Sequence, residues 1–263
     1  MSSRALTVAT LMTSPVRSVG PDVGLDEVHA LLVAQRISSM PVLDAAGKAL
    51  GLVSYTDLLR IGRMQPASLA GMQTMELPRE AVKQHMHVGL ITISGDAPVA
   101  RAAAMLVEQR IHRVYVEESG KVIGVLSLED LLLAVRSLRI ESTIADFMSK
   151  TVRSVGLQAT IAHATAELDH AGLQGLVVLD AFGQPAGSFT QTEALACRDL
   201  LPDTEVEVAM SHGLLCLHSK TPLYRAAAAA YEARARRLLA VDDGKVVGVI
   251  TGLDFARCLA LHA

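Results

Sequence analysis

Aromatic side chains are scarce in this chain: it holds no tryptophan, four tyrosines and four phenylalanines among 263 residues. About half of the residues are apolar, at 51%, so alanine, valine and leucine must fill the core. That composition favours a protein of helices and sheets over a sandwich built around tryptophan and tyrosine. The length suggests one to two domains.

Cysteine is scarce too, and Cys197, Cys216 and Cys258 have no regular spacing. An odd, irregular set fits a reducing cytosol better than a disulfide framework. The first residues lack the apolar core of a signal peptide. No uninterrupted apolar stretch approaches the roughly 20 residues that span a bilayer. We therefore expect a soluble, cytoplasmic protein with no membrane partner.

A strong net charge is also absent, since the formal net charge at pH 7 is −3. Such a chain has no general attraction to nucleic acid, and any anionic ligand must be held by local basic residues. The sequence contains no paired nucleophile and base, no phosphate-binding G-x-x-x-x-G-K-[ST] loop and no Rossmann fingerprint. We expect neither enzyme activity nor an enzyme cofactor.

Two groups of histidines are candidate metal ligands. His85 and His87 flank Met86, and His212 precedes Cys216 and His218, which alternate onto one strand face. Zinc sites usually need three or four protein ligands. We therefore expect scattered surface histidines and no metal site.

One pattern is present four times along the chain. Met12, Met86, Met148 and Met210 each precede a strand-like run, a helix-like stretch and two apolar runs joined by a glycine-containing turn. The spacing between these methionines is 74, 62 and 62 residues, longer than common solenoid repeats. Each copy is therefore large enough to be a small α/β module.

The predicted order in each copy is strand, helix, strand, strand, helix, which makes an α/β (α+β) chain of four βαββα repeats. Predicted strands after the first two methionines cover 16–19 and 90–93. The predicted bounds are 6–62 for repeat one, 63–79 for a surface linker with one helical turn, 80–138 for repeat two, 143–199 for repeat three and 204–262 for repeat four.

Each copy ends in a signature, Gly-x-x-Ser/Thr-x-x-Asp/Glu, that has two interpretations. The first is a helix capping box, in which the hydroxyl accepts from the helix and the acid reaches back. The second is a ligand site, because a carboxylate in the first helical turn can accept both hydroxyls of a ribose, and a helix N-terminus favours anions. Capping boxes favour Glu or Gln, so the aspartates favour sites at Ser54 and Asp57, Ser127 and Asp130, and Thr251 and Asp254, with Thr190 and Glu193 as a weak site.

A basic pair precedes the second strand in the even repeats only. Repeat two has His112 and Arg113 there, and repeat four has Arg236 and Arg237, whereas repeat three has Gly175. Two adjacent cations suit a phosphate chain. The alternative is a basic helix end that complements the helix dipole. The two interpretations weigh equally for the repeat-four pair, and phosphate is favoured for the repeat-two pair.

On these residues the chain resembles the CBS domain, named after cystathionine β-synthase, over nearly its whole length. The resemblance rests on the strands after the methionines, the strand of residues 40–43, the Gly-Lys turns and the Ser/Thr-x-x-Asp ends. It implies that repeats one and two, and repeats three and four, pair about pseudo-two-fold axes into two Bateman modules. Such a chain is similar to the γ regulatory subunit of AMP-activated protein kinase.

The resemblance also implies a function: a non-catalytic, energy-sensing regulatory protein. It would bind AMP, ADP or ATP between paired repeats and pass occupancy to an unknown protein effector. It implies that the aspartates hold the ribose, that the basic pairs face phosphate, and that the strand after the methionine lies against the base, through Val16, Ser18, Leu90 and Thr92. The alternatives are a scaffold with empty clefts, or a binder of S-adenosylmethionine, a cyclic dinucleotide or a metal ion. Monomer and homodimer are both compatible with the sequence.

Overall fold

The computed structural model describes residues 6–64, 75–170 and 175–262, and each repeat contains a helix, a two-stranded hairpin and a second helix in that order. The first half contains α1 Val8–Leu11, α2 Leu25–Gln35, β1 Ser39–Leu43, β2 Ala49–Ser54, α3 Tyr55–Ile61, β3 Arg63–Met64, β4 Met75–Glu76, β5 His87–Val88, β6 Thr92–Ile93, α4 Val99–Gln109, β7 Arg113–Glu118, β8 Lys121–Ser127 and α5 Leu128–Ser137. The second half contains α6 Ile144–Phe147, β9 Ser154–Gly156, α7 Ile161–His170, β10 Gly175–Leu179, β11 Pro185–Thr190, α8 Gln191–Ala196, β12 Leu215–Leu217, α9 Leu223–Glu232, β13 Arg237–Asp242, β14 Lys245–Thr251 and α10 Gly252–His262.

An antiparallel hairpin lies at the centre of every repeat. The hairpins are β1–β2, β7–β8, β10–β11 and β13–β14, and in repeats two, three and four a short parallel strand joins them. The predicted turn of repeat one is confirmed: Asp44 Oδ1 accepts from the backbone N–H groups of Ala46 and Lys48 at 2.9 Å. Gly47 takes a left-handed φ of 83° there, which is why this turn needs a glycine.

The segments around the four methionines differ from the prediction. Residues 16–19 do not form a strand, because only Val19 makes an isolated parallel bridge, to Val42. In repeat two the predicted strand at 90–93 shortens to β6. A helical turn that was not predicted precedes each methionine: α1, α6 and the 3₁₀ turns Val82–Gln84 and Val206–Val208. The strands after the methionines are short or absent because these segments pass from one repeat to the other.

The crossing of these segments pairs the repeats. Thr13 of repeat one exchanges backbone hydrogen bonds of 2.9 and 3.1 Å with Val125 of repeat two. In return, β5 of repeat two pairs with β2 of repeat one. Repeats three and four exchange segments in the same way, through Ser149 with Val249 and Ser211 with Ser188. The predicted pairing into two Bateman modules is therefore confirmed.

The exchange explains why the signature begins with glycine. A Cβ at Gly124 would lie 2.6 Å from Sδ of Met12, which comes from the paired repeat. The same contact joins Gly51 to Met86, Gly187 to Met210 and Gly248 to Met148. Each glycine thus packs against the methionine of its paired repeat. The repeated methionine and the first glycine of the signature, the two most regular features of the sequence, therefore contact each other.

The two modules meet through their helices. In repeats two and four, α4 packs on α10 and α5 packs on both α9 and α10. Their buried side chains form one continuous core, which includes Leu106, Leu131, Ala227 and Leu259. Repeats one and three keep separate cores, and they meet where α3 packs on α8.

The linker between repeats one and two contains a two-stranded hairpin. β3 pairs antiparallel with β4 within the stretch predicted as linker. The helical turn predicted for this stretch is absent from residues 63, 64 and 75–79, and residues 65–74 lie outside the described residues. The exact bounds of the four repeats stay a prediction.

Candidate functional site

All four signatures form the predicted capping contact. In each, one carboxylate oxygen accepts from both the backbone N–H and the hydroxyl of the cap residue. For Ser127 and Asp130 Oδ2 these distances are both 2.7 Å. The other pairs are Ser54 with Asp57 at 2.9 and 2.6 Å, Thr251 with Asp254 at 2.8 and 3.0 Å, and Thr190 with Glu193, whose backbone contact is 2.9 Å. Glutamate thus serves as a cap in repeat three as aspartate does elsewhere.

The second carboxylate oxygen distinguishes the aspartates, because it is the one left for a ligand. In repeat one, Asp57 Oδ1 lies 3.0 Å from His87 Nε2 and 3.4 Å from Arg60 Nη1. In repeat four, Asp254 Oδ1 lies 3.3 Å from Arg257. Asp130 Oδ1 has no hydrogen bond or ion pair to any other side chain of the described residues. Of the three aspartates, Asp130 is therefore the one whose second oxygen no side chain of the described residues occupies.

The surroundings of Asp130 also disfavour its charged form and raise its pKa. Burial raises the pKa of its carboxyl group, and the hydrogen bonds from Ser127 offset this only in part. The neighbouring Glu129 raises the pKa further. A partly buried carboxylate with an unused oxygen is a group that gains from a ligand donor, and perturbed pKa values concentrate at functional sites.

Arg113, the second residue of the repeat-two basic pair, crosses to the paired repeat. Its guanidinium donates to Ser38 Oγ at 2.6 Å and to the backbone oxygen of Ser39 at 3.3 Å. Burial lowers its pKa, while the charges of Tyr115 and Asp130 raise it. A guanidinium has five N–H donors, so two contacts leave donors for a phosphate.

Two buried hydroxyls surround this arginine. Tyr115 Oη and Ser39 Oγ are buried without a hydrogen bond of acceptable geometry in the described residues. Burial raises the pKa of Tyr115, and the nearby Arg113 and Ser39 lower it in part, so the three groups are close neighbours. Buried polar atoms normally have a partner, and these two hydroxyls place further polar groups beside Arg113.

Arg237 takes the corresponding place in repeat four. A Cβ at Gly175 would lie 2.1 Å from its Nη1, so the glycine of repeat three leaves the space that this arginine fills. Burial lowers the pKa of Arg237, the charge of Glu193 raises it, and that of Arg236 lowers it. Repeat three has no cation of its own at this position, as the sequence predicts, but it receives one from repeat four.

Arg236 connects the two modules electrostatically. Its charge lowers the pKa of both Arg113 and Arg237, so it lies near each. Arg236 thus lies near two of the other predicted phosphate residues, Arg113 of the first module and Arg237 of its own repeat. His112 is exposed at the end of α4, and its backbone oxygen accepts from Leu128 N–H at 3.0 Å.

The predicted base-side residues lie on the crossing segments. Val16 and Ser18 stand between the Thr13 bridge to repeat two and the Val19 bridge to repeat one. Leu90 and Thr92 stand in the same place after β5. Ser18 lines an open cavity of about 430 Å³ beside Leu43, the end of β1 opposite to Ser54.

His87, Arg60, Tyr115 and the serine pair Ser38–Ser39 were not predicted as site residues. His87 was considered only as a metal ligand. An alignment on the methionines carries the missing signal, because the residue after the methionine is Thr13, Ser149 or Ser211 in the other repeats. Histidine is the exception at that position.

The described residues contain neither a cluster of metal-binding side chains nor a helix suited to cross a membrane. No three His, Cys, Asp or Glu side chains among residues 6–64, 75–170 and 175–262 gather into a group that could hold a metal ion. A membrane crossing has no candidate among the helices described, since none combines the length and the hydropathy that a span requires.

Known relatives cover only part of the chain. An uncharacterized protein of Methanocaldococcus jannaschii is 26% identical over 192 residues, which is 68% of this chain and 43% of the relative. The γ-3 subunit of 5′-AMP-activated protein kinase from Sus scrofa is 26% identical over 106 residues, 40% of this chain and 20% of that subunit. The chain spans less than half the length of the curated relatives it matches.

The fold as a whole matches a solved structure. A Methanocaldococcus jannaschii protein proposed as an archaeal homologue of the γ subunit superposes with a TM-score of 0.76. The alignment covers 97% of this chain and 100% of that one, at 15% sequence identity. The CBS domain family profile matches residues 8–63, 82–137 and 205–261, which together exceed half of the sequence. Repeat three has the same element order with a more divergent sequence. The chain belongs to the CBS domain family.

Proposed function

We propose that this chain is a non-catalytic regulatory protein that binds an adenine nucleotide between paired CBS repeats and passes occupancy to a protein effector. The observation that carries the proposal is the site of repeat two. Asp130 combines a partly buried carboxylate and an unused oxygen with the nearby charge of Arg113. A carboxylate that accepts from a diol, with cations close by for phosphate, is the recognition set that a nucleotide needs.

The construction of the pair gives such a ligand a way to act. Arg113 belongs to repeat two but is held by the serines of repeat one. A phosphate on Arg113 therefore changes contacts in both repeats of the module. A ligand shifts a conformational equilibrium only by its differential affinity for the two states, and contacts shared between repeats supply that difference. Arg236 extends the effect to the second module, because its charge acts on Arg113.

Asp130→Ala tests the ribose role directly. A hydrogen bond to a charged group contributes about 1.5–3 kcal/mol, so we expect affinity for the bound nucleotide to fall by roughly tenfold to a hundredfold. Since the capping box is formed, the variant also loses about 1 kcal/mol of unfolding free energy. Isothermal titration and denaturant melts on the same preparation separate the two effects.

Asp146→Ala is the matched control. Asp146 forms a capping box with Thr143 at α6, outside the four signatures, with a backbone contact of 2.7 Å. It removes a cap without removing a site, so affinity should stay at the wild-type value. An Asp130→Ala protein that binds every tested nucleotide as tightly as wild type contradicts the ribose role and leaves the signatures as caps.

The second candidate is a scaffold with empty clefts. It is favoured by the contact that each signature carboxylate makes with its cap residue, because caps alone account for the signatures. Thermal shift separates the candidates, since a ligand that binds only the folded state raises Tm. The panel is AMP, ADP, ATP, S-adenosylmethionine, a cyclic dinucleotide and divalent metal ions. A rise with adenine nucleotides supports the proposal; a flat response across the panel supports the scaffold.

A further inference from the structure

The cleft of repeat one has a histidine contact that the structure, over the residues it describes, shows in none of the other three clefts. His87 Nε2 lies 3.0 Å from Asp57 Oδ1, the oxygen that the capping contact leaves unused. The Asp57 side chain is only 9% exposed, whereas that of His87 is 68% exposed. The histidine therefore covers the carboxylate from the solvent side, where a ligand would approach.

The register shows that this contact is specific to one position of the repeat. His87 stands opposite Leu52, two residues before the cap Ser54. Thr13 opposite Val125, Ser149 opposite Val249 and Ser211 opposite Ser188 occupy the same position in the other three clefts. Those positions carry short hydroxyl side chains, and only His87 is long enough, and able to be cationic, to reach the acid of the neighbouring repeat.

Arg60 adds to the effect from the helix side. Its Nη1 lies 3.4 Å from Asp57 Oδ1, as Arg257 lies 3.3 Å from Asp254 Oδ1 in repeat four. Both arginines are exposed and sit one helical turn after their aspartate, so they are free to move away when a ligand arrives. The difference between the two clefts is therefore His87.

We propose that His87 closes the repeat-one cleft by occupying the ribose-binding oxygen of Asp57. The module then binds its nucleotide at Asp130 and not at Asp57. His87 is a specificity-determining residue that sets how many nucleotides the chain holds, and the proposal rests on the proposed nucleotide-binding function. Because His87 lies on the segment that repeat two contributes to repeat one, the block is supplied by the paired repeat.

His87→Ser tests the block by installing the residue that repeats three and four carry there. We expect one additional equivalent of AMP or ATP to bind per chain in equilibrium dialysis. Affinity at the new site should rise roughly tenfold over wild type, the change that one charge-assisted hydrogen bond gives. The exposed position predicts an unchanged fold, which the melting temperature checks. The double variant His87→Ser with Asp57→Ala should lose the additional equivalent.

Thr13→His is the reciprocal variant, because Thr13 holds the corresponding position in the Asp130 cleft. We expect it to weaken the wild-type site by roughly tenfold. If wild type binds AMP or ATP and His87→Ser binds the same number of equivalents with the same affinity, the proposed block is wrong while the nucleotide function stands. If neither wild type nor His87→Ser binds AMP or ATP, the proposed function itself is wrong, and the block falls with it.

Discussion

Repeats two and four share one core, whereas repeats one and three keep separate cores that touch mainly at one pair of helices. On the shared side, the long helices α4, α5, α9 and α10 pack together, and alanines such as Ala102 and Ala227 are fully buried. On the other side, α8 is six residues long and contains no buried residue. The same repeat therefore makes a tight junction between the modules on one side and a loose one on the other.

Polar contacts hold the loose side. Arg198 donates to the backbone oxygen of Leu59 at 2.6 Å and to that of Arg60 at 3.2 Å. Arg63 pairs with Asp199 at 2.9 Å. A cavity of about 380 Å³ lies beside these contacts, between α7 and α8, and Arg198 is one of its lining residues. Exposed ion pairs contribute little stability, so we expect this side to be held less firmly than the shared core.

The largest expected effect comes from the shared core. Leu259→Ala empties a fully buried position of α10 and should lower the unfolding free energy by about 2–5 kcal/mol. Because repeats two and four share that core, hydrogen exchange should quicken in α4 and α5 as well as in α10. Leu261→Ala on the same helix, at 71% exposure, is the control and should stay within about 0.5 kcal/mol. Faster exchange confined to repeat four would contradict the shared core.

Leu168→Ala is the counterpart in repeat three. Leu168 is 2% exposed. Its core contains residues of repeat three and of the segment that crosses to it from repeat four. The substitution should also cost about 2–5 kcal/mol if unfolding is cooperative, but the loss of exchange protection should remain in residues 154–210. Loss of protection in α4 or α5 would show that destabilisation spreads from repeat three as readily as it spreads through the shared core of repeats two and four.

The next effect concerns Gly175, which admits Arg237 into repeat three. Gly175→Ser places a side chain where the guanidinium now lies, at 2.1 Å, and overpacking of this kind costs about 1–3 kcal/mol. Gly156→Ala, in β9 of the same repeat, meets nothing within 4 Å and is the control. Urea unfolding of the two variants measures the difference. Equal stabilities would mean that Arg237 moves aside at no cost.

The smallest effect is expected at the loose side itself. Arg198→Ala removes the two contacts to the end of α3, which come from one donor atom, Nη1, and together contribute about 0.5–1.5 kcal/mol. The readout is hydrogen exchange at residues 58–62, which should quicken while α10 is unchanged. Arg101→Ala, an exposed arginine of α4, should leave both unchanged. Quickened exchange in α10 after Arg198→Ala would contradict the independence of the two sides.

Much of this organisation follows from the sequence, because it rests on local patterns. The helices at 25–35 and 99–109 and the hairpins follow from apolar periodicity and glycine turns, which neighbouring residues determine. The strand predicted at 16–19 is wrong because the chain there passes from the Thr13 bridge with repeat two to the Val19 bridge within repeat one. That path depends on contacts between residues distant in sequence. The alanines at 226–230 predict a helix, but not that the helix packs against repeat two.

In the candidate site, too, local contacts can be predicted from the sequence and contacts between distant residues cannot. The pairs Ser127 with Asp130 and Thr190 with Glu193 can be recognised from their spacing, since a capping contact is local. The ion pair of His87 with Asp57 joins residues 30 positions apart and depends on the exchange of segments. So does the entry of Arg237 beside Gly175. Whether Ser54, Asp57 and the other predicted residues bind a nucleotide stays a prediction.

Hydrogen exchange with and without AMP or ATP tests the central claim most directly. The account predicts protection at residues 127–130 and at Arg113, with no change at residues 54–57, because Asp130 has an unused oxygen and Asp57 is covered by His87. Protection at residues 54–57 with none at residues 127–130 would contradict it.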